Sequence, residues 1–214
     1  MEKIFLSIGT GPGIGLETAI RFAREGWQPV LAARRPERLE EMAAAIKKST
    51  GAESTTCVLD AGATGQAASL VGRIGEIGVL HYNAACLRPG RLEELSEQEL
   101  AQDLQTDLTG ALWAVKAVLP AMRNRRQGTV LLTGGGLALA PSSDYLTLSI
   151  AKAGMRCLCQ ALFPELAADG VHIATVTVKK AVQAGGADTE AIAELFWKLH
   201  SQPRGAWTWE ESFG

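Results

Sequence analysis

Between an apolar segment, Lys3 to Ile8, and a helical one reaching about Arg24, glycine alternates with other residues in Gly9-Thr10-Gly11-Pro12-Gly13-Ile14-Gly15. A strand that passes at once into a helix needs backbone without Cβ atoms in the way. The helix that follows presents unpaired N–H groups and the positive end of its dipole. A negatively charged pyrophosphate needs both. Glycines at 9, 13 and 15 supply the turn, the close approach and the helix–strand contact. The spacing is Gly-x-x-x-Gly-x-Gly, because Ile14 and Leu16 stand where Gly-x-Gly-x-x-Gly would need glycine. An ordinary flexible turn is the alternative. The place of the run, after an N-terminal strand and before a helix, favours a dinucleotide site.

The rest of the chain alternates β-like runs with amphipathic helices, the pattern of a mostly parallel sheet covered on both faces. Further strands are predicted at Gln28 to Ala33, Glu53 to Leu59, Val79 to Tyr82, Thr129 to Thr133, Val171 to Val178 and Ala206 to Glu210. Helices are predicted from Pro36 to about Lys48, Thr64 to about Ile74, Ser96 to about Arg123, Ser143 to Ala168 and Asp188 to His200. Pro36 suits a first helical turn, and Ser96 with Glu99 makes a capping box. Asp188 and either Ser142 or Ser143 are expected to cap their helices. With 214 residues and no linker or repeat, the expectation is one domain over 1–214. Its class is α/β, a single Rossmann-type doubly wound parallel sheet with helices on both faces. A net charge of −2 gives no basic field for nucleic acid or an anionic membrane. No run has the length of a membrane span or a secretory signal, so a cytoplasmic protein is expected. Cys57, Cys86, Cys157 and Cys159 lack metal-like spacing and read as reduced, packed thiols, with no metal site. His81, His172 and His200 are isolated and read as structural.

The glycine spacing resembles that of the short-chain dehydrogenase/reductase family, and the resemblance runs over nearly the whole chain. Ala33-Arg34-Arg35 ends the second strand, where family members using NAD carry an acid for the ribose hydroxyls. The resemblance therefore implies NADP(H) in preference to NAD(H), with guanidinium groups on a 2′-phosphate. Two solvated surface arginines are the alternative. Asp60, followed by Ala61, stands where the family has its acidic contact to the adenine. Asn83-Ala84-Ala85 resembles the Asn-Ala-Gly that lines the cofactor after the fourth strand.

The family's reaction is hydride transfer between the nicotinamide and a carbonyl or alcohol. It uses a proton-transferring Tyr, a Lys four residues later, a Ser about thirteen before the Tyr and an Asn on the preceding long helix. Lys152 matches the Lys, which would also hold the nicotinamide ribose. Leu148 stands for the Tyr, Gly135 for the Ser and Asp107 for the Asn, and Lys179-Lys180 replaces a Pro-Gly after the sixth strand. The chain is similar to a divergent branch with Thr-Gly-Gly-Gly after the fifth strand, here Thr133 to Gly136, and a displaced Tyr. Tyr145 precedes Lys152 by seven residues, two helical turns, and is the substitute proton donor. The helix would separate the two by roughly 10 Å along its axis, against about 6 Å for the usual spacing. A solvated hydroxyl is the alternative for Tyr145. Asp107, if buried, is either protonated and a general acid or paired with Lys152. The segment from Gln183 to Asp188 is too short for the family's helical lid and implies an open site or a small pocket. Trp207 and Trp209, sharing one face of the last strand, read as core or dimer contact.

The leading expectation is an NADP(H)-binding oxidoreductase with atypical catalytic residues, acting on a small carbonyl compound or alcohol. Loss of three catalytic positions also fits a non-catalytic NADP(H)-binding sensor or structural subunit. Isomerisation or elimination through Asp107 and Lys152 is a third reading. The family resemblance implies a homodimer or homotetramer built on helices 98–123 and 143–168. The apolar runs Leu112 to Leu119 and Met155 to Leu162 suit that contact, or the sheet.

Overall fold

The computed structural model describes residues 3–214; Met1 and Glu2, which head the first apolar run, lie outside them. Seven strands form one sheet: β1 (Ile4–Ile8), β2 (Gln28–Ala33), β3 (Thr55–Val58), β4 (Ile77–Tyr82), β5 (Gly128–Gly135), β6 (Val171–Val178) and β7 (Glu210–Phe213). Their order is β3-β2-β1-β4-β5-β6-β7, and every pairing is parallel. Strands covered on both faces must be apolar on both, and β1 shows how this divides the core. Ile4, Leu6 and Ile8 point into one cluster, with Leu70, Val115 and Met155 from α3 (Gln66–Ile74), α5 (Gly110–Arg125) and α6 (Leu146–Ala168). Phe5 points the other way, to Phe22, Met42 and Phe196 from α1 (Ile14–Arg24), α2 (Pro36–Thr50) and α7 (Ala187–Ser201). The rings of Phe5 and Phe22 stack at 4.4 Å, and full burial of each contributes about 2–3 kcal/mol. Strand order reverses between β1 and β4, and the crevice at their carboxyl ends is where this architecture receives ligands. No helix among the described residues is long and apolar enough to cross a membrane.

Four local expectations need correction. The predicted helix after Ser96 is two helices: α4 (Glu97–Leu104), opened by the expected capping box, and α5, joined through a wide π turn at Gln105–Thr109. A Cβ on Gly110 would collide with the Tyr82 hydroxyl and the Ala61 carbonyl, so only glycine lets the chain cross β4 here. Tyr82 donates its hydroxyl to the Thr106 carbonyl inside the same turn. Helix α6 begins at Leu146, not Ser143, and neither Ser142 nor Ser143 caps it. The Ser149 hydroxyl ties its start instead, accepting from Ser142 N at 3.1 Å and donating to Tyr145 O at 2.8 Å. Helix α7 has Gly186 at its cap position with no side-chain cap; Asp188 sits in the first turn, paired with Lys180 at 3.0 Å. The last strand is β7, and Trp207 and Trp209 precede it in a loop that Gln202 closes through Thr208 N at 2.8 Å. The two tryptophans share no strand face. Trp207 stacks on His172 at 4.9 Å, and Trp209 lies under the Arg156 guanidinium at 5.0 Å.

Candidate active site

The turn between β1 and α1 closes on the exit of β4. Gly9 has φ +81°, and a Cβ there would collide with the backbone of Ala84. Asn83 locks the contact by donating its amide to Gly9 O at 3.0 Å. Thr10 is buried beneath, its hydroxyl on Ser7 O at 2.9 Å, and Gly15 packs on Thr10. Gly11, Pro12, Gly13 and Ile14 border open space above. Gly13 is the cap residue of α1 and no side chain caps that helix, so its first N–H groups are available to an anion.

Over Gly11 opens a cleft of about 220 Å³. Arg34, Arg35 and Arg38 bound it, and Asp60, Ala61 and Thr106 line it too. None of the three arginines has an ion-pair partner among the described residues. Asp60 is held in place: its Oδ1 accepts from Gly62 N at 3.0 Å and its N–H donates to Gln66 at 2.8 Å. Pro12 and Ala85 border both this cleft and a larger cavity of about 1020 Å³, so the two form one elongated site, with Ala84 lining the cleft end and Asn83 the cavity end. An uncapped helix terminus beside an arginine-rimmed cleft fits a phosphorylated dinucleotide.

The large cavity contains Tyr145, Leu148 and Lys152. Lys152 is buried, its Nζ donating to Thr133 O at 2.7 Å. A Cβ on Gly135 would lie 3.3 Å from Lys152 Cγ, so a serine there would press on the lysine stem. Leu148 is buried wall. Tyr145 is not on the helix, with φ −135° and ψ 49°, and the expected two-turn spacing from Lys152 along a helix axis is replaced by a bend. Its backbone pairs with Gly90, while Gly90 N donates to Asp144 O at 2.8 Å. The residue is 39% exposed, and its hydroxyl has no hydrogen-bond partner among the described residues.

Asp107 lies behind this cavity rather than in its lining. Its side chain is fully buried; Oδ1 accepts from Cys86 N at 2.6 Å, and Oδ2 has no partner. No ion pair with Lys152 forms within 4 Å among the described residues, so the paired alternative is replaced by attraction at longer range. Burial raises the Asp107 carboxyl to about 6, against the opposing pull of the Cys86 N–H and Lys152. Burial lowers Lys152 to about 8, with Asp107 opposing.

Several residues at the site escape sequence reasoning. Arg38, in the first turn of α2, joins Arg34 and Arg35 at the cleft, and the signal for it is three arginines within five residues. Thr106 reaches the cleft only because of the π turn, which carries no sequence signal. His81, read as structural, connects to the site. The Thr133 hydroxyl donates to Asn83 Oδ1 at 2.9 Å, so His81 Nε2, 3.1 Å from that hydroxyl, carries the ring proton and donates to it. Burial holds His81 neutral, with its pKa lowered to about 3.

A doubly wound parallel sheet with a glycine turn, an uncapped helix and an arginine cleft at its switch point defines a nucleotide-binding α/β protein. The family described as short chain dehydrogenase matches residues 3–196, and the chain belongs to that family. It is 31% identical over 175 residues to a 3-dehydrosphinganine reductase of Arabidopsis thaliana, covering 80% of this chain and 53% of that one. With an oxidoreductase of Listeria monocytogenes it shares 30% over 181 residues, covering 83% and 73%. The chain thus spans about half the length of the Arabidopsis relative. A short-chain dehydrogenase from Rhodopseudomonas palustris has the same fold, with a TM-score of 0.89 at 23% identity over 99% of this chain and 98% of that one.

Proposed function

We propose that the protein is an NADP(H)-dependent oxidoreductase that interconverts a small carbonyl compound and its alcohol. The observation that carries this reading is the continuity of the arginine cleft with the cavity holding Tyr145 and Lys152. An alcohol dehydrogenase from Thermococcus sibiricus complexed with 5-hydroxy-NADP shares the fold, with a TM-score of 0.84 at 24% identity over 99% of this chain and 96% of that one. So does a short-chain dehydrogenase from Sphingobium yanoikuyae in complex with NADPH, with a TM-score of 0.81 at 21% identity over 92% and 84%. When bound, the nicotinamide supplies or accepts a hydride. The N–H groups at the start of α1 hold the pyrophosphate, and Arg34, Arg35 and Arg38 hold the 2′-phosphate. Asp60, Ala61 and the Asn83 to Ala85 segment line the adenosine and nicotinamide ends. Lys152 would hold the nicotinamide ribose and brings a positive charge to the cavity that contains Tyr145. Tyr145 donates the proton to the carbonyl oxygen during reduction and takes it back during oxidation. Asp107, charged above about pH 6, keeps Lys152 protonated. Leu112 and Ile150, exposed on α5 and α6, support assembly into a homodimer through those helices.

The free Tyr145 hydroxyl and the glycine at 135 also favour a second reading, a nucleotide-binding sensor without turnover. NADPH oxidation against a panel of ketones and aldehydes separates the two. The first reading expects turnover that Tyr145→Phe lowers by about 100-fold or more with NADPH affinity unchanged. Turnover unaffected by that replacement removes Tyr145 from the mechanism. Tight NADPH binding with no carbonyl consumed favours the sensor.

A further inference from the structure

The cavity around Tyr145 has a lopsided charge. Its walls are largely apolar, with Leu87, Leu137, Leu139 and Val182 among them, and among the described residues the only charged side chains lining it are Lys152, Lys179 and Lys180. Two of the three are engaged: Lys152 by the Thr133 carbonyl at 2.7 Å, Lys180 by Asp188 at 3.0 Å. Lys179 has no carboxylate within ion-pair distance among the described residues. The nearby acid, Glu210, is already taken, by Arg156 through two bonds of 2.9 and 2.8 Å and by the Thr177 hydroxyl at 2.6 Å. The backbone of Lys179 is fixed between β7 and the glycine run. Its N–H donates to Phe213 O at 2.8 Å, and its Cα lies 3.0 Å from where a Cβ on Gly136 would stand. Its side chain is exposed.

An unpaired ammonium at the rim of an apolar cavity keeps its hydration until a ligand brings an anion, and then forms a charge-assisted bond beside a desolvating wall. The three arginines lie in the cleft at the other end of the elongated site, while Gly13 and Ile14 at the uncapped start of α1 border this same cavity, so the phosphates of a dinucleotide have partners without Lys179. We propose that Lys179 is a subsite for an anionic group of the substrate, so that the substrate is an apolar carbonyl compound or alcohol bearing a carboxylate. The assignment of a carbonyl rests on the oxidoreductase reading above; the carboxylate subsite does not.

Calorimetric binding of two unreactive probes, 4-phenylbutyrate and its neutral amide, to the protein saturated with NADPH tests the subsite without turnover. The carboxylate is expected to bind roughly five- to tenfold tighter than the amide, the size of one partly exposed charged contact. Lys179→Gln erases that preference and leaves amide and NADPH affinities unchanged. A preference that survives the substitution overturns the proposal, as does binding of neither probe. An equal loss of NADPH affinity overturns it too, by giving the lysine to the cofactor. If the preference disappears in the variant while no carbonyl compound is ever turned over, the subsite stands and the oxidoreductase reading fails.

Discussion

Replacing Asp107 by Asn tests the electrostatics of the site through stability alone. Asp107 is fully buried with one oxygen unpartnered, and its carboxyl is raised from 3.8 to about 6. A carboxyl raised in the folded state favours folding below its unfolded pKa and loses that contribution as the pH climbs through the folded one. The window here is pH 4 to 6. Above it, the charged side chain costs up to ~3 kcal/mol, since each pKa unit corresponds to about 1.4 kcal/mol. Asn keeps the bond from Cys86 N and removes the charge, but it also deprives buried Lys152 of its attraction. The net expectation is that Asp107→Asn gains ~1–2 kcal/mol on the parent protein between pH 4.5 and pH 7.5. Guanidinium unfolding of both proteins at the two pH values measures it. His81 and His200, held neutral by burial with pKa values of about 3 and 4, lose stability for both proteins as the pH falls and cancel in the difference. An unpaired buried amide costs the same at both pH values and cancels as well. A difference between the proteins that does not move with pH would refute the claim that a strained charge resides at Asp107.

Gly9→Ala forces a Cβ against the backbone of Ala84 at a φ of +81°, where neither side can retreat. It should lower stability by about 2–4 kcal/mol and abolish NADPH binding, both read from thermal unfolding with and without cofactor. Arg34→Ala combined with Arg38→Ala should weaken NADPH by roughly 100-fold while leaving NADH within about threefold, in parallel titrations at one salt concentration. Equal weakening of both would assign the arginines to something other than the 2′-phosphate.

The fold is legible in the sequence because its strands are short, apolar and separated by helices with their own signals. Pro36 at the head of α2 and the Ser96–Glu99 box act locally and appear where they are expected. Failures cluster where a distant contact decides. The π turn around Asp107 depends on Tyr82 and Ala61, more than twenty residues upstream, meeting Gly110. Trp207 and Trp209 alternate as a strand does, yet the Gln202 side chain folds them into a loop. The cofactor end of the site lies at strand exits, whose positions follow from strand order. The proposed reacting end includes Tyr145, whose bend off α6 accompanies a bridge to the distant Gly90.

Lys152 connects the unusual residues of the site. In the usual arrangement a helix presents tyrosine and lysine one turn apart, with a serine across from them. Here Lys152 lies over Gly135 and reaches the Thr133 carbonyl, and a Cβ at Gly135 would press on its stem. Leu148, where the usual tyrosine would stand, is a buried part of the same wall. Tyr145, the proposed proton donor, lines the same cavity, its backbone bridged to Gly90 in the loop after β4. Asp107 belongs to the same set, because a lysine buried this deeply loses its proton near pH 8 even with a negative neighbour behind it. Substituting any one of Gly135, Leu148 or Asp107 by the usual residue should therefore fail to restore ordinary geometry.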